Sequence, residues 1–72
     1  MIKFEIAGDC QGVDILLSTE GIDELISYLK FVRENEESLH LLAGNELNTD
    51  PSQNGNEVVK HVKLICIGNV SD

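Results

Sequence analysis

Four residues could offer a metal an imidazole or a thiolate: His40, His61, Cys10 and Cys66. A zinc site needs three or four such ligands converging from short, characteristic spacings. Here each stands singly among apolar or turn neighbours, and the cysteines lack a CxxC spacing. They read as two strand histidines and two small apolar thiols. Asn48, Asp50, Ser52 and Asn54 alternate as the first ligands of a calcium loop do. The pattern then fails, because position six is Gln53 instead of glycine, position twelve is Val59 instead of glutamate, and Pro51 interrupts it. A polar turn accounts for the same residues.

The remaining chemistry is equally sparse. Gly8, Gly12 and Gly21 do not form a phosphate-binding spacing. Ser18 and Ser38 lack the G-x-S-x-G setting of a nucleophile elbow. Cys10 has no neighbouring cation or histidine to activate it. Asp23-Glu24 and Glu36-Glu37 are adjacent pairs, and adjacent helical residues do not face each other. No catalytic site, metal or cofactor is expected, so the chain reads as a binding module and not an enzyme.

The elements that would carry such a module are legible from period and punctuation. Ile2, Phe4 and Ile6 alternate with Lys3 and Glu5, as in a half-buried strand. Gly8-Asp9-Cys10-Gln11-Gly12 breaks that strand with turn residues. Val13, Ile15 and Leu17 begin a second strand, and the short break predicts an antiparallel hairpin. Ser18 can cap a helix whose first turns carry Glu20, Asp23 and Glu24, where the helix dipole favours acids. Ile22, Leu25, Ile26, Leu29 and Val32 follow at helical spacing, predicting one continuous buried face. The helix is expected to end between Asn35 and Ser38.

Leu39-His40-Leu41-Leu42-Ala43 reads as a third strand stopped by Gly44. Glu46-Leu47-Asn48-Thr49 is open between a short strand and a loop. Asp50-Pro51-Ser52-Gln53-Asn54-Gly55-Asn56 is a polar loop, with Asn54-Gly55 suited to positive φ. Residues 57–67 read as one long strand, with Val58, Val62, Leu64 and Cys66 on one side and Val59, His61, Lys63, Ile65 and Ile67 on the other. The order β-β-α-β-(β)-β predicts one α+β domain spanning 1–72. Its sheet should be four- or five-stranded and mostly antiparallel, with one helix on one face.

Charge and size narrow the partners. Thirteen acidic residues face five basic ones, for a formal net charge of -8. That field repels nucleic acid and anionic membranes and favours a basic protein. With 42% apolar residues the chain is not disordered as a whole. A chain of 72 residues buries only ~60% of its unfolded surface and gains from self-association. Charges within the first five residues argue against a signal peptide, and no apolar run approaches ~18 residues. The expected location is cytoplasmic, with both cysteines reduced.

Two surfaces stand out for partner binding. At ~100° per residue, Phe31 points away from the helix's apolar face, with Tyr28 on the flank and Glu24, Glu34 and Asn35 beside it. An aromatic within a carboxylate rim suits an interface anchor, so Glu24, Tyr28, Phe31, Glu34 and Asn35 are the candidate partner-binding residues. Leu16, Leu42, Val59, Ile65 and Ile67 would fall on the sheet face opposite the helix, where they could form a homodimer surface.

Gly21-Ile22 with Leu25 and Leu29 opening the helix, Leu39-His40-Leu41, Asn45-Glu46-Leu47 and the final His61-Val62-Lys63 occur in an order with a parallel elsewhere. The pattern resembles the small bacterial immunity proteins of polymorphic toxin systems grouped as immunity protein family thirty-two. That resemblance implies a cytoplasmic protein that binds and neutralises a cognate toxin, often a nuclease or other enzyme, with no catalytic residues of its own. The alternative expectation is a homodimeric accessory or scaffold domain without a toxin partner.

Overall fold

The computed structural model describes residues 1–69. Its elements are β1 (Ile2–Ile6), β2 (Val13–Leu17), α1 (Thr19–Asn35), β3 (Leu39–Leu42), β4 (Glu57–Val58) and β5 (His61–Leu64). The chain is α+β, with one helix and antiparallel strand pairing throughout, as its periodicity predicts. The strands divide into a three-stranded sheet, ordered β2-β1-β4, and a two-stranded sheet, β3-β5.

β1 is the central strand. On one edge it pairs with β2 in the register Ile2↔Leu17, Phe4↔Ile15 and Ile6↔Val13. The hairpin closes through Ala7 N–H donating to the Gly12 carbonyl at 3.0 Å, with Cys10 at φ 59 inside the turn. On its other edge β1 meets β4 through Glu5↔Val58 and Ile6↔Glu57. The same edge continues as Val59 N–H donates to the Phe4 carbonyl and Asn48 N–H to the Ile2 carbonyl. β1 thus has every reason to be buried, and Ile2 through Glu5 are.

The long strand expected over 57–67 is two strands. A bend at Val59 and Lys60 breaks it, and the Lys60 carbonyl accepts from Ala43 N–H at the bend. The bend shifts the side-chain phase, so Val59 packs on the core alongside Val62 and Leu64. Glu46-Leu47-Asn48-Thr49 is a tight loop with a single bridge, Ala43↔Leu47, and not a strand. Its work is to insert Leu47 beside Ile2, Phe4 and Leu41 in the core.

α1 begins as its sequence dictates. Ser18 adopts an extended cap conformation and its Oγ accepts from Gly21 N–H at 3.0 Å. The helix ends at Glu36, whose φ of 50 is left-handed. Its rotation differs from expectation. Gly21 and Val32 are buried, and Leu25 and Tyr28 pack against the core. Ile22, Ile26 and Leu29 remain exposed. The inward row is therefore 21/25/28/32, and the predicted apolar face contributes only its Leu25 and Val32 flank.

Gly21 explains the rotation. A Cβ built there would lie 2.0 Å from the Met1 carbonyl oxygen. Only glycine allows the first turn of α1 to touch the backbone that leads into β1. Helix propensity alone predicts that Gly21→Ala stabilises by about 1 kcal/mol. The contact predicts the opposite sign, a loss of about 1–3 kcal/mol from overpacking. Urea unfolding of the two proteins decides between them, and a more stable alanine variant would refute the close approach.

Candidate functional site

The sheet face opposite α1 carries an unexpected pair. Lys3 and Glu5 are two residues apart on β1, so they share a face, and both are buried, at 8% and 2% exposed. Lys3 Nζ lies 3.0 Å from Glu5 Oε2. The polar loop 50–56 folds over them. Ser52 Oγ donates to Glu5 Oε1 at 3.0 Å, and Asn56 Nδ2 donates to the same oxygen at 3.3 Å. Between loop and sheet lies a cleft of about 290 Å³, lined by Met1, Lys3, Glu5, Leu16 and the loop residues Asp50 to Asn54.

The loop is built to reach Glu5. Asn48 Oδ1 accepts from Asp50 N–H at 2.9 Å, and Ser52 Oγ accepts from Asn54 N–H at 3.1 Å. Gly55, at φ 76, supplies the reversal that its place after Asn54 predicts. The loop is thus ordered by its own side chains and by one carboxylate. That carboxylate is held below its usual range, first by the hydrogen bond from Lys3, then by those from Ser52 and Asn56, against the opposing effect of burial. Its oxygens are consumed by structure: Lys3 takes one, and Ser52 and Asn56 take the other. A general base needs a free lone pair aimed at substrate. The cleft has a charged floor, but its acid is already partnered.

The two histidines do meet, although the sequence spaces them 21 residues apart. They are diagonal neighbours across β3 and β5, since His40 lies opposite Lys63 and Leu42 opposite His61. His40 Nδ1 and His61 Nε2 are 2.7 Å apart and the rings stack at 13°. One nitrogen donates and the other accepts. Among the described residues no group of three or more His, Cys, Asp or Glu is placed to hold a metal ion. Cys10 and Cys66 are free thiols.

The candidate partner residues separate. Glu24, Phe31, Glu34 and Asn35 are exposed on α1, with Phe31 at 44% on the flank next to Tyr28. Asn35 Nδ2 donates to the Phe31 carbonyl at 2.8 Å, which fixes the end of that face. Tyr28 does not belong with them. It turns inward, packs against the core, and its phenol ionises above the usual range because of burial, then of Glu24 and Glu46 nearby. Glu46 is itself pinned, its Oε1 accepting from Leu42 N–H at 3.0 Å.

The apolar back face does not assemble. Of its five expected members, Leu16 lines the polar cleft and Val59 enters the core. Leu42, Ile65 and Ile67 are exposed and lie in or beyond the other sheet. The buried Lys3–Glu5 pair holds the place where that patch was expected. A different apolar surface exists instead. Val13 and Ile15 of β2, with Ile22, Ile26 and Leu29 of α1, are between 45% and 58% exposed.

Comparison with protein-family models, with curated proteins and with solved structures finds no match to this chain. Function therefore rests on the surfaces just described. No helix among the described residues is long and apolar enough to cross a membrane.

The Glu5 network makes a signed prediction. Its folded pKa lies below the unfolded value, so its stabilising contribution is complete above about pH 4.5 and vanishes as pH falls through the folded value. Urea midpoints of the wild type should therefore fall on acidification below the ordinary carboxylate range. Glu5→Gln should be less stable at neutral pH, since Lys3 loses its counter-charge, and should show a shallower acid slope. Parallel slopes for the two proteins would remove Glu5 from the acid response.

Proposed function

We propose that this chain is a protein-binding antidote: an acidic module that neutralises a basic toxin, such as a nuclease, by covering its active surface. The observation that carries the reading is the exposed flank of α1 around Phe31. Phe31 stands exposed there, with Glu34 about one turn ahead and Glu24 about two turns behind it along the helix. An aromatic anchor inside an acidic rim is suited to a basic enzyme surface, where it supplies contact area and the rim supplies steering. The net charge of -8 extends that steering over the whole molecule. The cleft is consistent with this reading, because its one buried acid serves to hold a loop. The resemblance to immunity proteins points the same way.

A homodimeric accessory domain without a toxin partner is the second reading, favoured by the exposed apolar side chains beside β2.

The test is co-expression with the toxic product of a neighbouring gene. The wild type should restore growth and bind that product with an affinity that falls as salt rises. Phe31→Asp should leave the circular dichroism spectrum unchanged, since the ring is outside the core. It should weaken binding by about 2 kcal/mol, roughly 30-fold. Rescue that is absent, or indifferent to Phe31→Asp, counts against this surface as the antidote face.

A further inference from the structure

We infer that two copies of this chain pair through the free edge of β2 and the exposed stripe of α1, making a two-fold dimer whose sheet runs β4-β1-β2-β2-β1-β4. The starting observation is that β2 is an edge strand with β1 on one side only. Ala7 N–H bonds to the Gly12 carbonyl and Ser18 N–H to the Met1 carbonyl. Antiparallel pairs alternate between bonded and non-bonded positions. Asp14 and Leu16, opposite Glu5 and Lys3, therefore direct their backbone groups at β1. Val13, Ile15 and Leu17 direct theirs at the open edge. Unpaired edge groups of this kind are a template for another strand.

The side chains at that edge are apolar where a lone strand should be guarded. Val13 and Ile15 share the α1 face of the sheet with Phe4 and Ile6. They are 58% and 51% exposed, and no lysine or proline interrupts β2. α1 adds to the same surface. Tyr28, on one flank of its inward row, lies near Glu46, and the chain leaving Glu46 bonds β1 on the β4 side through Asn48. Ile22, Ile26 and Leu29 lie on the opposite flank, about 100° round the helix from Gly21 and Val32. That flank overhangs β2.

Three features fit a second copy of this chain. The first is spacing. α1 packs over both β1 and β2. Strands lie about 4.8 Å apart, so a β2–β2 junction would set the two helices about 10 Å apart, at the packing distance of helices. The second is register. Thr19, Ile22, Ile26, Leu29 and Arg33 repeat in steps of three and four, as a helix–helix seam does. The third is charge. On or beside that row α1 carries Asp23 toward its N-terminus and Lys30 and Arg33 toward its C-terminus, while Glu20, Glu24 and Glu34 lie off it. An antiparallel pair brings Asp23 of each helix toward Lys30 and Arg33 of the other. On β2, the two-fold axis belongs at Ile15, which pairs Ile15 with its copy and Val13 with Leu17. An axis at Asp14 would oppose two carboxylates.

This dimer leaves Phe31, Glu24 and Glu34 on its outside and stands independently of the antidote reading. Salt separates the two. Each copy carries -8, so added salt should tighten the dimer while weakening a basic partner. The experiment is sedimentation of the wild type, Ile26→Asp and Ile15→Lys over a concentration series, with amide exchange of Ile15. The wild type should sediment as a dimer, and its Ile15 amide should gain protection as concentration rises. Each substitution enters both halves of a two-fold interface and should raise the dissociation constant about 100-fold or more. Both side chains are half exposed in the single chain, so far-UV circular dichroism should be unchanged. Ile15→Lys serves as the second probe if Ile26→Asp disturbs the helix. A monomeric wild type, or a dimer insensitive to both substitutions, overturns the inference.

Discussion

The carbonyl of Met1 sits where the side chain of residue 21 would be, and much of the architecture follows from that contact. It fixes how closely the first turn of α1 approaches the strand beside it. It also fixes which row of the helix turns inward. With Gly21 against backbone, Leu25 and Tyr28 come next along the same line and pack against Ile2, Phe4, Leu41 and Leu47, and Val32 is buried farther along it. The larger apolar residues Ile22, Ile26 and Leu29 are carried to the flank. A core this small is filled by a minority of the available hydrophobes, and the remainder are left on a surface. That surplus is what makes association with another chain physically reasonable.

The opposite sheet face is organised by charge. Lys3 and Glu5 would be costly to bury singly, and together they are tolerated because their charges oppose each other and both Glu5 oxygens are hydrogen-bonded. The loop that covers them has no apolar side chain except Pro51 and is held by hydrogen bonds instead. The molecule therefore has one dry face and one wet face on the same three strands. The dry face stabilises the fold, and the wet face keeps a long polar segment in place without a second hydrophobic core.

Much of this was legible in the sequence. Period-two alternation located β1 and β2, and Ser18 with the acids after it located the start of α1, because those signals depend on neighbours in the chain. What escaped depended on distant contacts. The helix rotation was set by a glycine against Met1, whereas hydrophobic spacing alone favoured Ile22 and Ile26. The bend at Val59 and Lys60 arises where one strand leaves β1 and joins β3, which periodicity over 57–67 does not record. The His40–His61 contact needed the β3–β5 register. Lys3 and Glu5 were read as the solvent face of a strand. Their opposite charges at a spacing of two, with an Asn- and Ser-rich loop downstream, were the available hint. Of the proposed partner residues, Glu24, Phe31, Glu34 and Asn35 are exposed on α1, while Tyr28 was lost to the same rotation.

The placement of β1 also sets an order of events. Its β2 partner follows within a few residues, and α1 comes directly after, so these elements can assemble from local encounters. Its other edge must wait for residue 48, which returns after the helix and β3, and for residues 57–59, which return after the polar loop as well. Closing that excursion costs loop entropy before any contact rewards it. Until then the nascent hairpin carries bare edges on both sides. The net charge of -8, spread along the chain, opposes the meeting of two such incomplete chains while the last strands arrive.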